Sequence, residues 1–168
     1  ISPHNIMIDQ LGFVRLLDFG ISKAISQNEA SSKPTSLKGK FQYMAPEMAR
    51  GSVLDARADL FSLGAVAFEL LAGKPLLTTP SDFENLERLR TGDIPYLSLS
   101  GASNSEVQLR KFVNTLLADE PDARFVSAKD ALTTLEQIPG GIASNEELAS
   151  WASSFGLPQQ QEKTVRNG

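Results

Sequence analysis

The chain has 168 residues, 41% of them hydrophobic, which is enough apolar side chain for one packed core. A formal net charge of -4 speaks against a nucleic-acid footprint. Cysteine is absent, which excludes disulfides and thiolate metal sites and fits a reducing compartment; a single histidine argues against an imidazole-based metal site. No apolar run reaches the roughly 20 residues of a membrane helix. Ile1 stands where a methionine would and reads as a cut end, so targeting and any membrane anchor elsewhere stay open.

In chain order, Ile6-Met7-Ile8 is a short apolar run, Asp9-Gln10-Leu11-Gly12 is turn chemistry, and Phe13 to Leu17 is a second run. Together they predict a small β-hairpin. Residues 22–40 are rich in Ser, Lys, Thr and Asn, a long loop of the kind that is usually functional or mobile. DLFSLGAVAFELLA (59–72) is apolar on nearly every face and ends at Gly73 and Pro75, which predicts a buried core helix with Asp59 at its N-cap and Gly73 at its C-cap. Helices are also predicted over 81–90, 104–117 and 127–138. Ser144 to Glu147 reads as a capping box before a helix with Leu148, Trp151 and Phe155 on one face, expected to pack on the protein's own surface rather than to dock a partner. The tail from 158 to 168 reads as disordered. The fold class is mainly α with a small β-hairpin at its start.

Chemistry concentrates in SPHN (2–5), LDFG (17–20), GKFQYMAPE (39–47) and DLFSLG (59–64). A lone D-F-G is weak. D-F-G followed by a long polar loop, Y-M-A-P-E and D-x-x-S-x-G on a buried helix is specific. In this order the motifs resemble the second half of a eukaryotic-like (Hanks-type) serine/threonine protein kinase of the bacterial type, over residues 1–138. The resemblance implies the C-terminal lobe of the α+β kinase fold, cut in the catalytic loop. The general-base aspartate is expected immediately before Ile1, and the Gly-rich loop, nucleotide-pairing lysine and partner glutamate lie upstream. Residues 139–157 then form a linker and an amphipathic helix.

The implied cofactors are ATP and Mg²⁺ or Mn²⁺, and the implied partners are protein substrates. Phosphoryl transfer needs hard oxygen ligands for the metal. A hairpin brings the ends carrying Asn5 and Asp18 together, which makes these two the metal-ligand candidates; the plainer reading is two turn formers. Met7 aligns with the position beneath the adenine ring, although strand packing alone would also suit a methionine. Phe19 and Gly20 complete the D-F-G, and residues 21–38 align with the activation loop. Ser36 is its candidate phosphorylation site and Lys23 the candidate cation for that phosphate. Glu47 and Arg124 match an ion pair that anchors the end of that loop, and Asp59 matches the residue that holds the catalytic-loop backbone. His4 aligns with a variable position.

One departure stands out. The family usually carries lysine at the position of Ser2 and threonine at that of Lys40, so here the two residue types are exchanged. The reading is that Lys40 supplies the missing charge near the transferring phosphoryl group, hydrogen-bonded by Ser2. These two are the catalytic candidates. The resemblance implies that the intact protein transfers the ATP γ-phosphoryl group to Ser or Thr hydroxyls, and that residues 1–168 alone are inactive. The alternative is a pseudokinase or scaffold lobe that binds protein partners without catalysis.

Overall fold

Pro3–Asn5 form a 3-10 turn closed by the Asn5 amide donating to the Ser2 carbonyl at 3.0 Å, and the chain then enters a hairpin. The computed structural model describes residues 1–17, 40–98 and 103–155. It is mainly helical with one two-stranded antiparallel sheet, as the sequence predicts. The described residues fall into two compact units: 1–5 with 40–98 and 103–142, and 6–17 with 143–155. Asp18, Phe19, Gly20, Lys23 and Ser36, the remainder of the predicted long loop before Lys40, and the tail 158–168 lie outside the described residues.

The helical unit is built around α2 (Arg57–Ala72). Its Leu60, Phe61, Ala65, Val66 and Phe68 are buried, and α2 packs on α4 (Asn104–Leu116), which contributes Phe112, Val113 and Leu116. The contact is close at Gly64, where an added Cβ would stand 2.8 Å from the Leu116 Cβ, so only glycine lets the two helices meet here without displacement. α5 (Ala128–Glu136) packs on α4, and α3 (Asp82–Thr91) packs on α1 (Pro46–Arg50). Ser81 caps α3 by accepting from the Glu84 amide, and Gly92 ends it in the left-handed region.

Two expectations need correction. Asp59 is not the N-cap of the core helix: α2 begins two residues earlier, after Ala56, and the Arg57 amide is capped from outside by Asp55 Oδ1 at 2.8 Å. The core helix is also not buried along its full length, since Leu70 in its last turn is 79% exposed before Gly73 closes the helix with a left-handed φ of 68°.

In the smaller unit, β1 (Ile6–Ile8) pairs with β2 (Val14–Leu16) in the register Ile6↔Leu16, Met7↔Arg15, Ile8↔Val14. Asp9 organises the turn. Its Oδ1 accepts from the Leu11 and Phe13 amides at 3.0 and 2.9 Å, and its Oδ2 receives the Arg15 guanidinium. α6 (Asn145–Ser153) starts with the predicted capping box, Ser144 and Glu147 each accepting from the other's amide, and it packs against β1. Its buried residue is Ala152. Trp151 and Phe155 stack edge to face at 4.8 Å and are 55% and 67% exposed, so the aromatic face is not the packed one.

Candidate active site

The best-defined part of the site is the anchor of the A-P-E stretch. Pro46 opens α1 at a position that needs no backbone donor, and Gly51 ends the helix in the left-handed region, so Glu47 sits in its first turn. Arg124 follows the 3-10 turn Pro121–Ala123. The two side chains meet as a parallel fork: Arg124 Nη1 donates to Glu47 Oε1 and Nη2 to Oε2, both at 2.7 Å. Their exposures are 0% and 5%, so the pair is desolvated. The remaining guanidinium donors are also used. Nε donates to the Ala118 carbonyl at 2.8 Å, Nη1 to that of Arg57 at 2.9 Å, and Nη2 to that of Asp119 at 3.0 Å. The guanidinium carbon stands 5.0 Å from the Phe61 ring centroid, a cation–π geometry. A buried ion pair is tolerated only when its geometry is good and its other donors are satisfied, and both conditions hold here.

A second anchor went unassigned in the sequence. Ser62, the serine of D-L-F-S-L-G, donates its hydroxyl to the Tyr43 carbonyl at 2.7 Å, which fixes the Y-M-A-P-E backbone to α2. The Tyr43 hydroxyl in turn donates to Glu69 Oε2 at 2.5 Å. Burial, and then the Glu69 carboxylate, push the Tyr43 phenol well above the usual tyrosine range, so it remains a proton donor at physiological pH. Arg50 adds a third tie: its Nη2 lies 2.6 and 2.8 Å from the Asp119 carboxylate oxygens, and its Nε donates to the Arg90 carbonyl at 3.0 Å. The serine stands inside the D-L-F-S-L-G motif. Nothing in the spacing of Arg50 and Asp119 pointed to their pairing.

Of the other predicted residues, Ser2 and Asn5 share the first 3-10 turn and are half-buried. Asp59 lies in the first turn of α2 with its Oδ1 3.8 Å from the Ile1 nitrogen, so the start of α2 and the start of the chain are neighbours. Met7 is 53% exposed on the hairpin, while Ile6 and Ile8 point the other way and are half-buried. Lys40 opens the 3-10 turn Lys40–Tyr43, and its side chain is outside the described set, so the Ser2–Lys40 approach is not described. Among the described residues no cluster of three or more His, Asp or Glu stands ready for a metal, and no helix is long and apolar enough to cross a membrane.

A buried fork under an A-P-E turn, tied to the central helix by a motif serine, defines a protein kinase catalytic lobe. The sequence profile of the protein kinase domain matches residues 1–135. The chain belongs to the protein kinase family. Among its relatives are serine/threonine-protein kinase PknB of Mycobacterium leprae, 30% identical over 95% of this chain and 27% of the relative, and PknB of Mycobacterium tuberculosis, 34% identical over 84% of this chain and 22% of the relative. A probable PknB of Bifidobacterium longum is 43% identical over 48% of this chain and 12% of the relative. The chain therefore spans about a quarter of the first relatives' length. Use of ATP and a divalent metal is general to the family.

Proposed function

We propose that the intact protein is a serine/threonine protein kinase that transfers the γ-phosphoryl group of ATP to protein hydroxyls in the cytosol, with residues 1–138 as part of its helical lobe. The observation that carries the reading is the Glu47–Arg124 fork. Phosphoryl transfer is catalysed mainly by positioning and electrostatics, and a segment that aligns an acceptor must be rigidly footed. The fork and the Ser62 bond supply that footing.

Asn5 and Asp18 offer an amide oxygen and a carboxylate, a hard donor set that suits Mg²⁺ or Mn²⁺. The register supports the pairing, since Ile6 and Leu16 are partners, the first directly following Asn5 and the second two residues before Asp18 in the chain. When bound, the ion neutralises charge on the nucleotide phosphates. Met7 forms the floor under the adenine. Lys40 holds a positive charge at the transferring phosphoryl group, and the Ser2 hydroxyl orients its ammonium. Phosphorylated Ser36 pairs with Lys23 and orders the loop that starts at Phe19 and Gly20. Asp59 steadies the catalytic-loop backbone.

The test is phosphate transfer from Mg·ATP to a protein substrate by the intact chain. Asp18→Asn and Asn5→Ala abolish or strongly reduce it, and Lys40→Ala lowers turnover by about a hundredfold while Lys38→Ala leaves it near wild type. Equal mild effects of the two lysine changes refute the role of Lys40. The serine at position 2 favours one competing reading, a scaffold lobe without catalysis. Absence of transfer by the intact wild-type chain, with an uncharged residue immediately before Ile1, would establish that reading instead.

A further inference from the structure

The helix beyond the matched kinase region does not stand apart. α6 forms one compact unit with the hairpin, and β1 is the strand it packs against. The hairpin needs that support. It has two three-residue strands, and every residue of β2 is exposed. An isolated two-stranded hairpin is marginal in water, and packing against a helix is a usual remedy. The seat is at Gly12 in the turn. Gly12 has φ 79° and is buried, and a Cβ there would stand 2.9 Å from the Ala149 amide nitrogen and closer still to the Asn145 carbonyl oxygen. Backbone meets backbone, so any side chain at 12 displaces the helix. The helix answers with small residues, Ala149 half-buried and Ala152 buried, and its start is fixed by the Ser144–Glu147 capping box.

We infer that α6 is a brace for the hairpin that carries Met7, and that releasing it weakens nucleotide binding by the intact protein. The inference rests on the reading of Met7 as the adenine floor. The helix lies outside residues 1–135, the span that the protein kinase domain profile matches. α6 touches β1, and its residues act through the hairpin, so they are positioning residues. Their loss shows in the KM for ATP and spares kcat.

The experiment compares three forms of the intact protein: Gly12→Asn, Ala152→Arg, and the double variant. Asparagine tolerates a left-handed φ, so Gly12→Asn introduces the Cβ with little backbone strain. Ala152→Arg disturbs the helix without touching the turn. Each single change raises the KM for ATP by about threefold to tenfold with kcat within about twofold, and the double change is no worse than either single one because both release the same brace. Hydrogen exchange at the Ile6–Ile8 amides is the second readout, and it accelerates at least about tenfold in both single variants. Unchanged exchange in Ala152→Arg, or effects on KM that multiply, overturn the brace. Accelerated exchange with an unchanged KM keeps the brace but refutes its link to the nucleotide. A wild-type protein that transfers no phosphate refutes the kinase reading, while hydrogen exchange still decides the brace.

Discussion

The Glu47–Arg124 anchor and the hairpin–α6 unit solve opposite problems. The anchor lies in a deep core, where α2 and α4 bury Phe61, Val113 and Leu116, and charge is admitted only with every guanidinium donor satisfied. The hairpin has almost no core. Met7, Val14 and Leu16 are exposed, and its order comes from local hydrogen bonds around Asp9 and from one helix. Buried polar networks carry high stakes because an unpaired member is costly, whereas exposed ones have water as a substitute partner. The same kind of change should therefore have very different consequences in the two places.

The largest effect belongs to the fork. Arg124→Ala leaves the Glu47 carboxylate desolvated without its partner and strands the Ala118, Arg57 and Asp119 carbonyls, so it should cost about 3–5 kcal/mol. Arg124→Lys should recover only part of this, since one ammonium cannot reproduce the fork. Urea unfolding of the chain measures it. A loss below about 1 kcal/mol, the size of a surface pair, would break the contrast between the two regions.

A middle effect tests the smaller unit. Ser144→Ala removes the acceptor for the Glu147 amide and half of the capping box, and should cost about 1 kcal/mol. The loss should appear as faster hydrogen exchange in α6 and in β1 while the helical unit keeps its protection. Equal acceleration of exchange in α2 would show that the two units unfold together.

The sequence made the elements legible where a side chain or a glycine marks the boundary. Gly73 and Ser144 act as caps where expected, while Ser81, inside the predicted helix 81–90, proves to be its N-cap. It misled where the signal is displaced or silent. The start of α2 is capped from Asp55 across the silent Ala56, so Asp59, the first carboxylate on the apolar run, drew the assignment. α1 escaped because it has five residues, no side-chain N-cap at Ala45, and lies inside a motif read for its chemistry. The Leu148, Trp151 and Phe155 stripe suggested a buried aromatic face. The approach of the α6 backbone to Gly12 is too close for large side chains, so alanines take that face and Trp151 stays outside. Glu47 and Arg124 are 77 positions apart, and no periodicity links them; only the resemblance did.

The smallest effect is the acid titration of the hairpin turn. The Phe13 amide, and then the Leu11 amide and Arg15, hold the Asp9 carboxyl below the ordinary carboxylate range, against the opposing cost of burial. A depressed folded value means that the charged form is favoured by folding. The contribution is therefore fully present above the unfolded value of about 3.9 and is lost as pH falls through the lower folded value. Asp9 is on the surface, so the change is confined to the turn and leaves the helical unit unaffected. An NMR titration of the Asp9 carboxyl should give a midpoint below the ordinary value, and amide exchange in the hairpin, corrected for intrinsic pH dependence, should quicken only below about pH 4. Asp9→Asn keeps a carbonyl oxygen for the two amides but loses the charge, so the acid-dependent step should disappear. A midpoint at or above the ordinary value would mean that the turn is held by its backbone bonds alone, and that the carboxylate contributes geometry without charge.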